Sequence, residues 1–147
     1  FGIGSTLTFA HVTGVKLHIG HVGDSSALRL RANALEQLTS DHTIENELKE
    51  RAARGEPIGL LMENRNALTR CIGQPPPLES ECTEHTILPK DRYLLSSDGI
   101  TRFVEPKEIA DILTRAENPE AAARQLVDRA NERGGLDNST AVVLFFD

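Results

Sequence analysis

With 147 residues, 39% of them hydrophobic and 26% charged, the chain has enough length to bury the core of one globular domain, residues 1–147. A formal charge of −6, from 22 acidic against 16 basic residues, excludes the basic face that a nucleic-acid partner requires. No apolar run approaches membrane-spanning length, no signal-peptide pattern opens the chain, and Cys71 and Cys82 lack metal-ligand spacing, so the expectation is a cytoplasmic protein with reduced thiols and no membrane association.

The opening, Phe1-Gly2-Ile3-Gly4-Ser5-Thr6-Leu7, carries no initiator Met, cap or polar tail and reads as chain cut from within something longer. Thr6 to Val12 is β-branched and apolar enough for a strand. Val15, Leu17 and Ile19 alternate with Lys16, His18 and Gly20, the pattern of a second strand with one buried face. Gly23-Asp24-Ser25-Ser26 turns the chain, Ala27 to Arg31 returns, Ala32-Asn33 turns again, and Leu35 to Leu38 completes what reads as an antiparallel meander. His11, His18, His21, His42 and His85 form no zinc signature, and they read as structural or surface residues.

Ser40-Asp41-His42-Thr43 supplies cap residues for a helix over Ile44 to Arg54, with Ile44, Leu48 and Ala52 on one face. Glu56 to Asn66 has no period and is either a mobile loop that closes over a site or a plain surface loop. Ala67 to Ile72 reads as a short strand, stopped by Gly73 and Pro75-Pro76-Pro77, and Leu78 to Thr86 as a strand near a sheet edge. Tyr93 to Ser96 is a short buried strand, with Tyr93, Leu94 and Leu95 as its apolar body, ending at Ser97-Asp98-Gly99. A helix from Pro106 to Ala116 follows, with Ile109, Ile112, Leu113 and Ala116 on its inner face. Asn118-Pro119 starts another, which ends at Gly134-Gly135. Ser139 to Phe146 is a last strand, apolar enough to predict an interior place in its sheet.

One device recurs. Asp24 ends a strand in Gly-Asp-Ser, Asp98 ends one in Ser-Asp-Gly, and Asp137 precedes one in Asp-Asn-Ser-Thr. Strands lying side by side would gather these carboxylates at one sheet edge. Like charges that close repel or raise each other's pKa, and a hard divalent cation with oxygen ligands relieves them, magnesium or manganese rather than zinc. The alternative is that each is an ordinary turn aspartate.

Five segments in this order carry a resemblance: His21-Val22-Gly23-Asp24-Ser25, Leu38-Thr39-Ser40-Asp41-His42, Leu68-Thr69-Arg70-Cys71-Ile72-Gly73, Leu94-Leu95-Ser96-Ser97-Asp98-Gly99 and Gly134-Gly135-Leu136-Asp137-Asn138-Ser139-Thr140. Together they resemble the metal-dependent serine/threonine protein phosphatases of type 2C, in particular the bacterial members. Gly4-Ser5-Thr6-Leu7 is similar to that family's Gly-Thr-Thr segment. The resemblance implies an α+β fold, an antiparallel β-sandwich flanked by helices, here without its N-terminal portion. It implies a centre of two Mg2+ or Mn2+ ions, a third in bacterial members, and phosphoprotein substrates. On this likeness Asp98 and Asp137 are catalytic metal ligands, Gly99 belongs to the same metal motif, Asp24 serves the weaker third ion, and Asn138 orients a ligand or a water. Residues 44–66 would be the flap beside the cleft. A pair of divalent cations supplies an activated water for in-line attack on phosphorus, with no covalent enzyme intermediate. Ser25, Ser96 and Ser97 lack the elbow of a nucleophilic serine.

The family's bridging metal ligand, an early phosphate-binding Arg and an early acidic motif precede the Gly-Thr-Thr segment and are not among residues 1–147; Ser26 stands where many members carry Arg. The expectation is therefore apolar sheet edges, covered by a preceding segment or by self-association, and weak or no turnover by this chain alone. A catalytically dead, phosphatase-like module that binds or regulates a partner is the competing reading.

Overall fold

The period-two stretches become seven strands in the computed structural model, which describes residues 2–59 and 64–147. In chain order the elements are β1 (Leu7–Thr13), β2 (Lys16–Val22), β3 (Ser26–Arg31), β4 (Ala34–Gln37), α1 (Ile44–Ala53), β5 (Glu81–Thr86), β6 (Arg92–Ser96), α2 (Asp98–Thr101), α3 (Pro106–Arg115), α4 (Pro119–Glu132) and β7 (Ala141–Phe145). They make a three-stranded sheet, β1-β2-β5, and a four-stranded sheet, β4-β3-β6-β7, antiparallel throughout.

Alternation divides the apolar residues between two cores. Leu17 and Ile19 of β2 meet Ala27 of β3 and Tyr93 of β6 between the sheets. Leu28, Leu30 and Leu94 point the other way, onto Ile109, Leu113 and Leu126 of the helices. Each such side chain, fully buried, contributes about 1.5–3 kcal/mol. The helices begin and end where their caps dictate: the side chain of Thr43 accepts from Asn46 N–H before α1, and that of Asn118 from Ala121 N–H before α4. Gly134 and Gly135, both at positive φ, end α4. Arg92 donates to the carbonyls of Leu113 and Thr114 at the end of α3 while stacking 4.0 Å over the Phe145 ring, which ties β6 and β7 to the helix layer.

Several expectations are corrected. The first four strands are not a meander: β2 pairs with β5, and at Gly23 the chain leaves one sheet for the other. A φ of +111° there, with the Thr6 side chain against the position a Cβ would take, steers the chain away from a hairpin. Ala32 and Asn33, both at positive φ, do make the tight β3–β4 hairpin. Residues 67–72 form no strand and contribute only the bridges Thr43↔Leu68 and Ser5↔Ile72, because their partners lie on two unrelated segments. The face Ile44-Leu48-Ala52 is only partly covered, and α1 buries no residue fully. Asp98-Gly99 is no ordinary turn; it opens the four-residue helix α2.

β7 lies at the edge of its sheet among the described residues. It is apolar because both faces are used: Ala141, Val143 and Phe145 pack towards the helices and Leu144 towards the other sheet. Apolarity reports covered faces, not neighbours in the ladder. The expected apolar edges are present on β1 and β7, where Leu7, Phe9 and Val142 are about half exposed, and an open groove runs between Leu7 and Val142. α3 and α4 cover the four-stranded sheet, while the outer face of the three-stranded sheet carries Phe9 lying across Gly20. No helix among the described residues is long and apolar enough to cross a membrane.

At the far end of the four-stranded sheet, Asp91 is 1% exposed and fully satisfied. It accepts from Arg31 at 2.8 and 2.6 Å, from Leu88 N–H at 2.9 Å and from the Tyr93 hydroxyl at 3.0 Å. Burial alone would raise its pKa, but the Arg31 hydrogen bonds, with those from Leu88 and Tyr93, hold it below the usual carboxylate value. The unfolded chain therefore takes up this proton first, so acid favours unfolding. Asp91→Asn is expected to cost about 2–3 kcal/mol in denaturant unfolding at neutral pH, less than a fully buried pair because Arg31 keeps solvent contact. The gap between wild type and variant should close as pH falls from about 4 through the depressed native value.

Candidate metal centre

Strand pairing carries three acids to one end of the molecule. Ser26 of β3 faces Ser96 of β6, so two residues outward from that pair lie Asp24 and Asp98. Ser96 also faces Ala141 of β7, which brings the segment 137–140 alongside residues 97–99. Ser97 Oγ donates to Asn138 O at 3.2 Å and accepts from Thr140 N–H at 3.0 Å, and Ser139 Oγ donates to Gly99 O at 3.2 Å. Gly99 has no room for a Cβ, because the Asn138 carbonyl occupies that position.

Asp24 and Asp98 line an open cavity of about 270 Å³ with two further carboxylates, Asp41 and Glu45. Thr43, Asn66 and Thr101 add oxygen donors, and Arg102 is the only cation among the described lining residues. Its Nη2 lies 3.0 Å from Asp98 Oδ2 and 3.4 Å from Asp24 Oδ2. The Asp24 carboxyl is raised above its usual value, first by burial, then by repulsion from Asp98, with Arg102 offsetting part of this. An all-oxygen donor set under like-charge strain suits a hard divalent cation.

Asp137 stands outside this lining. It is exposed, and its Oδ1 accepts the Asn138 N–H at 2.7 Å. Asn138 meets the Asp98 loop through its backbone, while Gly99 provides the close approach of the two segments and its carbonyl already accepts from Ser139. Asp24 and Asp98 are thus brought to one guanidinium, and Asp137 is carried to their neighbourhood by the β6–β7 register.

The turn that bears Asp24 is pinned from outside the cavity. Gly23 N–H donates to His42 Nδ1 at 3.0 Å, and His42 N–H donates back to Gly23 O at 2.8 Å. Accepting at Nδ1 leaves the His42 proton on Nε2, which faces Glu81 at 3.7 Å. His21, its ring 4.8 Å from that of His42, has Nε2 2.9 Å from Ser40 O and so carries its proton there, with Nδ1 2.8 Å from Thr8 Oγ1. The ligand atoms of His21, His42 and Glu81 lie within 4.8 Å of one another; both His21 nitrogens and His42 Nδ1 are held by protein partners, while His42 Nε2 faces Glu81 at 3.7 Å. Burial, with Arg70 and His21 nearby, lowers the His42 pKa and keeps it neutral.

The pattern described as Protein phosphatase 2C matches residues 2–139. The chain belongs to the protein phosphatase 2C family. Protein phosphatase PhpP of Streptococcus pneumoniae serotype 2 is 32% identical over 143 residues, 97% of this chain and 58% of PhpP. A putative protein phosphatase 2C-type of Streptococcus pyogenes is 31% identical over 97% of the chain and 58% of its own length. Among solved structures, the serine/threonine phosphatase of S. agalactiae superposes with a TM-score of 0.88 at 30% identity, covering 99% of this chain and 60% of that one. The catalytic domain of the phosphatase PstP, in complex with 2 manganese ions, gives 0.81 at 31% identity, over 99% of this chain and 60% of that one. This member of the protein phosphatase 2C family therefore spans about three-fifths of the length of these relatives.

Sequence reasoning missed Asp41, Glu45 and Arg102 as cavity residues. Asp41 stood inside a quoted motif without a role, Glu45 lay within the helix expected over Ile44 to Arg54, and nothing along the chain singled out Arg102. Of the residues 44–66 expected to form a flap, 60–63 lie outside the described residues; of the rest, Glu45 and Asn66 reach the cavity. Gly99→Ala should push the Asp98 loop off the Asp137–Asn138 segment, at a cost of about 1–3 kcal/mol. Thermal unfolding checks this, and Ser97→Gly, which leaves the packing space intact, should cost less.

Proposed function

We propose that this chain contributes the greater part of a divalent-cation-dependent phosphoserine/phosphothreonine protein phosphatase. The observation that carries the reading is the convergence of Asp24 and Asp98, from separate strand ends, on one acidic cavity beside the segment bearing Asp137. PstP, a structural relative, binds two manganese ions, and the oxygen-only donors here suit Mg2+ or Mn2+ alike. Asp98 and Asp137 are the ligands proposed for the central ions, Asp24 for a third, with Asn138 orienting a ligand or water. When bound, the cations supply an activated water and offset charge on the phosphoryl oxygens.

The chain's own part is to hold the oxygens ready. β6 and α2 fix Asp98 before any cation arrives, the His42 pin fixes the turn at Asp24, and the Ser97–Asn138 contacts hold the Asp137 segment. Asp41 and Glu45 add negative charge, which retains cations while phosphate is repelled from an unloaded site. Substrate is a phosphorylated Ser or Thr side chain of a protein, presented at the open mouth.

Hydrolysis of a phosphothreonine peptide should require Mn2+ and should be far faster for a version of the protein extended upstream of Phe1 than for residues 1–147 alone. Equal rates would overturn the expectation that this chain is incomplete as a catalyst. In the extended protein, Asp98→Asn should cut turnover by at least about 100-fold and weaken Mn2+ binding measured by calorimetry. Unchanged Mn2+ affinity and turnover would remove Asp98 from the site.

A further inference from the structure

Arg102 sits between the two aspartates proposed as cation ligands. One guanidinium nitrogen bridges Asp98 Oδ2 at 3.0 Å and Asp24 Oδ2 at 3.4 Å, two acids that lie 74 residues apart in sequence (98 − 24) and share no other described cation. Arg102 directly follows α2, one helical turn after Asp98, so the same short element sets both residues. The two carboxylates are 15% and 23% exposed, whereas Arg102 is 38% exposed, so the arginine is the partner with an open route into solvent.

A guanidinium stays charged at every pH a folded protein meets, and it only donates. Deprotonation cannot release it from these carboxylates; exchange for another cation can. Divalent ions bind oxygen at 2.0–2.6 Å and carry twice the charge, against single contacts of 3.0 and 3.4 Å for the arginine. The arginine bond is therefore the weaker one, and it uses the same oxygens.

We propose that Arg102 is a resident counter-ion which a divalent cation must displace from Asp24 and Asp98, so that Arg102 sets the cation concentration at which the site loads. This rests on the reading of those two aspartates as cation ligands. In the cation-free protein Arg102 neutralises acids that the strand registers force together. In the loaded protein its side chain swings to solvent and the oxygens are given over to the ion. It is a positioning residue for the acids and a competitor for the ion, and it takes no part in attack on phosphorus.

Calorimetric titration of Mn2+ alone, without substrate, into the intact gene product tests this with four proteins: wild type, Arg102→Gln, Arg102→Lys and Asp98→Asn. Arg102→Gln is expected to bind Mn2+ about 3- to 10-fold more tightly, and Arg102→Lys, which keeps the charge, to stay within about two-fold of wild type. Without Mn2+ the Gln variant should also melt lower than wild type, and saturating Mn2+ should remove that difference. Unchanged or weaker Mn2+ binding by Arg102→Gln overturns the proposal, as does a Lys variant that behaves like Gln. Asp98→Asn separates the two levels. If it binds Mn2+ as wild type does, the ligand reading fails and the inference falls with it; if it loses Mn2+ while Arg102→Gln is unchanged, only the counter-ion role fails.

Discussion

Electrostatic repulsion among carboxylates gathered at one end of a sandwich is the constraint to which the rest of this molecule answers. The gathering is imposed by strand register: Ser26 opposite Ser96, and Ser96 opposite Ala141. That register cannot relax to separate the charges. A slip of one residue would turn Leu28, Leu30 and Leu94 away from the helices and Ala27 and Tyr93 away from the other sheet. Two apolar cores thus hold together acids that would otherwise move apart, with Arg102 set between two of them.

Two aspartates show how environment moves a carboxylate's pKa in opposite directions. Asp91 is buried with an arginine fork, a backbone N–H and a tyrosine hydroxyl all directed at it, and its pKa is depressed. Asp24 is held above its ordinary value, since burial and Asp98 outweigh Arg102. The first is satisfied within the chain and locks β3 to the β5–β6 connection. The second keeps less compensating charge, the environment expected of the cation ligand proposed for it.

Rigidity at the cavity comes from neighbours that never enter it. His42 grips Gly23 through both its side chain and its backbone, and Thr69 N–H donates to His42 O, so the Asp24 turn, the start of α1 and the Arg70 segment move as one. Gly99 performs the matching task on the other side by letting the Asn138 backbone lie against the first turn of α2. Both devices use small or neutral groups where a charged or bulky one would disturb the acids.

Sequence by itself determined whatever depends on neighbours along the chain. Period-two runs marked most strands, Asn118-Pro119 and Gly134-Gly135 bounded a helix, the stretch Ser40 to Thr43 offered caps for another, and five ordered motifs pointed to the family without any knowledge of contacts. Tertiary structure alone decided which strands pair: that β2 joins β5 while β3 joins β6, that residues 67–72 make bridges instead of a strand, and that apolar β7 is an edge. It also decided that Asp41, Glu45 and Arg102 share a cavity with Asp24 and Asp98. Local propensity is written within a few residues, whereas these outcomes depend on contacts between segments tens of residues apart, whose partners are chosen by the burial of whole faces.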